Sequence, residues 1–187
     1  MSFFIAFSTD GGDWFERLDP PAGARKETVP NLHLTLAFLG RIPEDLARAA
    51  FERVRAWPPF TWAGTVGPII PLGPPHKPSV LAATIADNRA PLAAFMTAHR
   101  DELTDAVGAP REQKPALPHV TVARFHWKTT PAERAAGVAW GRATDLHAPP
   151  ISLGELALYG PAPEPRVPRY RIFARTAAPL GVRAGSL

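Results

Sequence analysis

The chain has 187 residues, of which 45% are hydrophobic and 20% are charged, a balance typical of a folded globular protein and unlike that of a disordered one. It contains no cysteine, which excludes disulfide frameworks, thiolate metal sites and cysteine nucleophiles. The net charge of +4 comes from basic residues that are mostly arginine, which favours a phosphate-bearing partner without identifying one.

The first residues of the sequence are expected to form an opening strand rather than an export signal. Its first apolar run is short and has no basic residue before it, unlike a secretory signal. No stretch of the sequence reaches the length that a transmembrane helix needs. We therefore expect a cytoplasmic protein that does not associate with membranes.

Apolar periodicity divides the chain into short strands and a few helices. Runs with strand character cover residues 2–8, 32–39, 60–70, 80–86, 117–125, 151–159 and 169–176. Helical spacing predicts helices over 43–57 and 89–107, with weaker patterns over 10–18 and 131–140. Proline-rich segments predict loops over 71–78, 108–118 and 160–168. Because the elements are mixed without a strict βαβ alternation, the predicted class is α+β with mainly antiparallel sheets.

Two of the predicted strands carry the same motif, NLHLTLAFLG in the first half of the chain and ALPHVTVARFH in the second. Each copy has a histidine and a threonine two residues apart, with an apolar residue after each. The pairs are His33 with Thr35 and His119 with Thr121. One such pattern alone is more often a buried polar residue bonded to neighbouring backbone, whereas two copies are not expected by chance.

Strand geometry places the two polar side chains of each motif on the same face. In the first copy, His33 and Thr35 share one face, and Leu34, Leu36 and Phe38 are expected on the other. The apolar face anchors each strand while the polar pair points outward. The two histidines are separated by close to half the chain, which predicts two pseudo-symmetric lobes of sheet. Helices are expected on their outer faces, with the active-site cleft between them.

The two motifs resemble the signature strands of the 2H phosphoesterase superfamily, and specifically of the RNA 2′,3′-cyclic phosphodiesterases historically called 2′-5′ RNA ligases. The similarity extends to FFIAFS near the start, to LGELALYGP and to the closing YRIFART, so it covers nearly the whole chain. It departs from the family at RKETVP, before the first motif, where many relatives carry an aromatic residue. The resemblance implies one domain over residues 1–187, with one HxTx strand in each lobe.

Two histidines suit the chemistry that this resemblance implies. Opening a cyclic phosphate needs a proton-transfer group on each side of phosphorus, and an imidazole with a pKa of ~6.5 can serve as either acid or base near neutrality. Threonine hydroxyls can donate to the non-bridging oxygens. The spacing leaves open which histidine is the acid. The resemblance implies that His33 protonates the leaving 3′ oxygen and that His119 activates water, giving a 2′-phosphomonoester. The reverse reaction, with a 5′-hydroxyl in place of water, would be 2′,5′ ligation.

Arg124 is typical of the family's second motif, and its guanidinium could bind the phosphate. Strict alternation places it opposite His119, so a bulge or a bent strand end must turn it inward. No third histidine or carboxylate accompanies either motif, whereas catalytic zinc usually takes three protein ligands. We therefore predict a metal-independent reaction with no cofactor.

The closing strand carries a basic row that has two interpretations. Alternation places one set of its side chains on one face: Arg169, Arg171, Phe173 and Arg175. Such a row could follow an RNA backbone, or it could be a charged edge that protects the sheet from further pairing, and we favour the edge.

The expected partner is RNA with 2′,3′-cyclic phosphate ends, such as tRNA fragments, bound by a monomer. Two alternatives remain open. The protein could bind RNA ends or tRNA without catalysis, or it could be a phosphodiesterase of a small cyclic nucleotide or of cyclic ADP-ribose phosphate.

Overall fold

The computed structural model describes residues 2–162 and 169–176, which form two antiparallel β-sheets and four α-helices. In chain order the elements are β1 (Phe3–Ser8), α1 (Gly12–Glu16), β2 (Ala24–Lys26), a 3₁₀ turn (Val29–Asn31), β3 (His33–Gly40), α2 (Glu44–Arg55), β4 (Trp62–Leu72), β5 (Val80–Ile85), α3 (Arg89–Ala106), β6 (His119–Phe125), α4 (Pro131–Ala143), β7 (Pro150–Leu153), β8 (Leu156–Pro161) and β9 (Tyr170–Arg175). The predicted α+β class is confirmed.

The two sheets meet along the strands that carry the motifs. The first sheet has the order β3-β1-β8-β9, and the second has the order β2-β6-β5-β4-β7. β3 lies against β6, so the two motifs face one another across the junction. Helices α2 and α3 pack on the first sheet and α4 packs on the second. One apolar core, with Phe7 and Phe51 on one side and Ile69 and Leu81 on the other, joins both sheets.

The helices begin and end where local chemistry favours it. Thr130 caps α4 in a capping box with Glu133, and Pro131 occupies the first turn, where a missing N–H costs nothing. Helix α2 has acidic residues in its first turn and basic residues in its last, which complements the helix dipole. Within the described ranges, no helix has both the length and the apolar character needed to cross a bilayer.

The main error of the sequence prediction lies at residues 151–159, which were expected to form one strand. They form parts of two. β7 pairs with β4 in the second sheet, whereas β8 pairs with β1 in the first. The chain crosses between sheets at Gly154 and Glu155, and apolar residues on both sides of this step give a continuous strand pattern. The short β2 and the 3₁₀ turn were not predicted. Of the loop expected over 160–168, residues 163–168 lie outside the described part of the chain.

Strand β9 does not present its basic row on one face. Ile172 pairs with Tyr159 and Ala174 with Leu158, so a register shift lies between them. Arg171 and Phe173 remain together on the side of α2. The guanidinium carbon of Arg171 lies 4.1 Å from the centroid of the Phe173 ring. Arg175, beyond the shift, lies opposite Ala157 and forms an ion pair with Glu155. β9 is a sheet edge, as expected, and these charges face acidic partners.

Candidate active site

The two motif strands are paired with their neighbours in the same way. In each sheet the motif strand runs antiparallel to a strand that places a hydroxyl residue opposite the histidine and an alanine opposite the threonine. The matching pairs are His33 with Ser8, Thr35 with Ala6, His119 with Thr84 and Thr121 with Ala82. The sequence repeat therefore corresponds to a structural repeat.

Both strands contain a β-bulge at the same position. In β3 the pairing passes from Thr35 to Ala37, so Leu36 is the extra residue. Leu36 and Ala37 consequently both point into the core. Alternation resumes after the bulge, so Phe38 lies on the same face as His33. Its ring centroid is 5.8 Å from that of Phe4, and the residue is 64% exposed. The expectation that Phe38 faces the core was wrong, because strict alternation does not hold across a bulge.

The equivalent bulge in β6 acts on Arg124. Pairing passes from Thr121 to Ala123, leaving Val122 as the extra residue, and both Val122 and Ala123 are buried in the core. Arg124 thereby lies on the same face as His119, with its side chain 25% exposed. The bulge that an inward-facing Arg124 requires is therefore present. Arg124 and Phe38 occupy equivalent positions in the two repeats.

Each motif histidine is held by its own backbone. Nδ1 of His33 donates to the carbonyl of Asn31 at 2.6 Å, and Nδ1 of His119 donates to the carbonyl of Leu117 at 2.6 Å. A carbonyl oxygen only accepts, so Nδ1 carries the proton in both rings. The neutral rings therefore present Nε2 as the basic atom, and no group in the described residues engages either Nε2.

His33 lies in an aromatic environment. Its ring centroid is 4.8 Å from that of Phe4, 5.3 Å from Tyr159 and 5.8 Å from Tyr170, and the residue is only 8% exposed. Burial disfavours the imidazolium, as do the charges of Arg124 and His119, and together these lower the pKa of His33 to about 4 against the opposing bond to Asn31.

His119 is less enclosed, but its pKa is shifted in the same direction. Burial is the main cause that lowers the pKa of His119, and the positive charge of Arg124 lowers it further. The hydrogen bond to Leu117 opposes both effects. Arg124 thus acts electrostatically on both rings and His119 acts on His33, as expected for groups carried by two strands that contact one another, β3 and β6. Because both pKa values lie below the ordinary 6.5, both imidazoles are neutral near pH 7.

Two buried residues that the sequence analysis missed connect the motifs. Glu27 forms an ion pair with Nε of Arg124, and its other oxygen accepts from Nδ2 of Asn31 at 3.3 Å. The Oδ1 atom of Asn31 in turn accepts from the backbone N–H of Arg169 at 3.0 Å. This polar network links β6, the start of β3 and the start of β9. The local sequence does not predict the network, because Glu27 is distant in the chain from Arg124, as Asn31 is from Arg169.

A groove of about 460 Å³ lies beside two neighbours of His33, namely Ser8, which pairs with it, and Tyr159, whose ring is 5.3 Å from its own, but no motif residue lines the groove. Its lining also includes Leu32, Ile172 and Arg175. Burial raises the pKa of Tyr159 to about 12, so its phenol stays protonated. The groove is of the size that small-molecule sites have. A further cavity of about 500 Å³, next to Trp57 and Phe60, contains none of the motif residues.

The remaining motif groups are available to a ligand. The hydroxyls of Thr35 and Thr121 lie on the faces of their histidines, and neither forms a hydrogen bond within the described residues. Across residues 2–162 and 169–176, no cluster of three or more histidine, aspartate or glutamate side chains could hold a metal ion. The motif faces of the two contacting strands thus carry two imidazoles, two hydroxyls and one guanidinium.

Comparison with known proteins identifies relatives of this fold. A family model described as the 2′-5′ RNA ligase superfamily matches residues 13–159. The structure resembles that of E. coli LigT complexed with 3′-AMP, with a TM-score of 0.66, 19% identity, and coverage of 93% of this chain and 95% of that chain. It also resembles TT0787 of Thermus thermophilus, with a TM-score of 0.60, 23% identity, and coverage of 94% and 97%. A structure described as a phosphoesterase gives 0.63 at 18% identity, with coverage of 93% and 96%. No curated protein sequence matches the chain.

Proposed function

The chain belongs to the 2′-5′ RNA ligase superfamily, and on that basis we propose that it hydrolyses 2′,3′-cyclic phosphate ends of RNA to 2′-phosphomonoesters without a metal ion. Membership supports an enzyme of phosphodiester chemistry, either a phosphoesterase or an RNA ligase. One observation carries the finer proposal: two imidazoles with matching Nδ1 bonds lie on two strands that contact one another, and Arg124 acts electrostatically on both rings. Hydrolysis of a strained cyclic diester uses all of these groups.

The reaction needs one proton removed and one delivered. In the proposed mechanism, Nε2 of His119 takes a proton from water as the water oxygen bonds to phosphorus. The bond between phosphorus and the 3′ oxygen breaks, and Nε2 of His33 delivers a proton to that oxygen. The product carries a 2′-phosphate and a 3′-hydroxyl. The reverse reaction, with an RNA 5′-hydroxyl in place of water, forms a 2′,5′ linkage.

Substrate binding supplies the protonation state that this mechanism requires. Because the lowered pKa leaves His33 neutral near pH 7, it can act as the donor only after gaining a proton. A phosphate anion beside the ring favours the imidazolium and so opposes the effects of burial and of Arg124. The proton therefore enters with, or after, the anionic substrate.

Three polar groups are suited to hold the phosphate, and one aromatic ring is suited to hold the base. Thr35 and Thr121 can donate to the non-bridging oxygens, where negative charge accumulates. Arg124 can supply a charge-assisted bond through the guanidinium nitrogens that Glu27 leaves free. The exposed ring of Phe38 offers a surface on which a nucleobase can stack.

We propose further that residues 1–187 act as a single 2H phosphoesterase unit. The natural substrates are RNA ends, tRNA fragments among them, and the protein acts as a cytoplasmic monomer. The arginine-rich composition supports a polyanionic substrate over an uncharged one.

The test is turnover of an oligonucleotide that ends in a 2′,3′-cyclic phosphate. His33→Ala and His119→Ala should each lower the rate by about 10²- to 10⁴-fold. His147→Ala, which removes an exposed histidine from the loop before β7, is the matched control and should retain the wild-type rate. Excess EDTA should leave wild-type turnover unchanged.

The outcomes separate the alternatives. Retained turnover in either motif variant, with circular dichroism reporting a native fold, would refute the two-histidine mechanism. Wild-type protein that binds the oligonucleotide with a steep salt dependence but leaves its end intact would indicate an RNA-binding protein. Turnover of cyclic mononucleotides but not of oligonucleotides would indicate the small-nucleotide activity.

A further inference from the structure

Glu27 is a buried carboxylate beside the candidate phosphate-binding arginine. The residue is only 9% exposed, and its backbone N–H donates to the carbonyl of Val122, the extra residue of the β6 bulge, at 2.9 Å. Its two carboxylate oxygens accept from Arg124 and from Asn31. Three contacts therefore fix Glu27 in the segment between β2 and the 3₁₀ turn that precedes the first motif.

This position has two consequences for Arg124. The Nε donor of Arg124 is occupied by Glu27, so only the terminal guanidinium nitrogens remain for a ligand. The negative charge of Glu27 also offsets part of the attraction that Arg124 exerts on an anion in the cleft. A site optimised only for binding phosphate would gain from losing this carboxylate.

We propose that Glu27 limits the affinity of the cleft for phosphate, so that the product is released. The proposal rests on the proposed function, because that reaction converts a phosphodiester with one negative charge into a phosphomonoester that approaches two at neutral pH. The added charge would make the product bind Arg124 more tightly than the substrate does. A fixed negative charge paired with Arg124 weakens binding of both species, and it weakens binding of the dianion more.

The electrostatic argument predicts the ratio of the two effects. The interaction of one fixed charge with a ligand is proportional to the ligand's charge, so its free-energy effect on a dianion is about twice that on a monoanion. If removing Glu27 tightens binding of the cyclic diester about threefold, binding of the monoester should tighten about tenfold. A change in packing would not discriminate ligands by charge.

The experiment measures both ligands in wild type and in Glu27→Gln, which keeps the side-chain shape and one acceptor oxygen. Isothermal titration calorimetry at pH 7.5 gives Kd for adenosine 2′-phosphate, and KM reports on adenosine 2′,3′-cyclic phosphate. We expect Kd to fall about tenfold and KM about threefold in the variant. Progress curves of the variant should also slow early through product inhibition.

Asp105→Asn is the matched control. It removes one negative charge that is likewise paired with an arginine, Arg111, but at the end of α3. Its Kd for adenosine 2′-phosphate should remain at the wild-type value. The proposal is overturned if Glu27→Gln binds the product no more tightly than wild type, if both ligands change by the same factor, or if the control reproduces the effect.

A second pair of variants covers the case in which Glu27→Gln does not fold. Arg124→Gln leaves Glu27 as an unpaired carboxylate beside the ligand, whereas the Glu27→Gln, Arg124→Gln double variant replaces the ion pair with two amides. The double variant should bind adenosine 2′-phosphate more tightly than Arg124→Gln. Equal or weaker binding would count against the proposal.

Failure of this inference can be distinguished from failure of the proposed function. If wild type does not hydrolyse the cyclic phosphate, the function is wrong, and calorimetry with both nucleotides still tests the role of Glu27. If wild type hydrolyses it but the charge-dependent ratio is absent, the function stands and the role of Glu27 is wrong.

Discussion

The burial of His33 makes the stability of the folded protein sensitive to mild acid. The pKa of His33 is about 4 in the fold, against 6.5 for an ordinary histidine. This difference means that protonating His33 costs about 3 kcal/mol more in the folded state than in the unfolded chain. An unfolded chain takes up this proton near pH 6.5, whereas the fold resists it until about pH 4. The contribution of the neutral His33 to the free energy of unfolding is therefore complete above pH 6.5, the pKa of the unfolded chain. It is lost as the pH falls towards about 4, the pKa in the fold.

The expected loss can be worked out for a convenient pH. At pH 5 His33 is almost fully protonated in the unfolded state and hardly protonated in the folded state. The free energy of unfolding is therefore about 2 kcal/mol lower at pH 5 than at pH 7. His33→Gln removes the titrating group and should remove this part of the loss. Its residual pH dependence comes from His119, whose pKa is also lowered, and from other groups common to both proteins.

Urea unfolding followed by tryptophan fluorescence at pH 7 and pH 5 measures the effect. The difference in unfolding free energy between the two pH values should be about 2 kcal/mol smaller in His33→Gln than in wild type. Comparing differences cancels any loss of packing that the variant suffers at both pH values. If wild type and variant lose the same stability, His33 is not held neutral by its surroundings, and the argument that its proton enters with the substrate fails.

Two further predictions concern the groups around the phosphate. Thr35→Val and Thr121→Val should each lower kcat by about 10²- to 10³-fold with a smaller change in KM, because the lost donors act on charge that develops in the transition state. Steady-state kinetics in which only KM changed would contradict this. Phe38→Ala should raise KM about tenfold for a cyclic nucleotide and leave it unchanged for a cyclic phosphate without a base, since stacking needs a base. Trp127→Ala removes another exposed aromatic residue and serves as the control; an equal effect of both substitutions, or of Phe38→Ala on both substrates, would exclude a stacking role for Phe38.

The sequence predicted the elements of the fold well where a single periodicity covers a whole element. The strands and helices that carry or support the motifs are present within a few residues of their expected bounds. The prediction failed at residues 151–159, where the chain leaves one sheet for the other without losing its apolar character. Periodicity reports that a face is buried but not which sheet buries it.

The candidate site was predictable in its composition but not in its geometry. A repeated motif is sufficient to select both histidines and both threonines. The bulge in β3 was not predicted, and the one in β6 was named only as one of two ways to turn Arg124 inward. Each copy nevertheless contains a signal for its bulge: two apolar residues follow each threonine, Leu36 with Ala37 and Val122 with Ala123. Such a pair breaks strict alternation and marks the position after which the side chains change faces of the sheet.

The polar network lies beyond sequence analysis for a different reason. The carboxylate and the guanidinium that pair in it are 97 residues apart. Lys26 and Glu27 stand in the segment that departs from the family pattern. Lys26 there donates to the carbonyls of Glu16 and Leu18, which tethers the segment. Only the tertiary structure relates this local departure to Arg124.

The duplicated scaffold explains why two similar rings lie on contacting strands, but it cannot by itself give the proposed reaction a direction. A cyclic phosphate has chemically distinct oxygens on its two sides, so proton flow must be set where the repeats differ. They differ in the surroundings of the rings, since three aromatic rings enclose His33 and His119 is more open. They differ again at the residue after the bulge, where one repeat presents Phe38 and the other Arg124. If the base stacks on Phe38 and the phosphate binds Arg124, as proposed, the substrate has one orientation, and that orientation determines which imidazole faces the leaving oxygen.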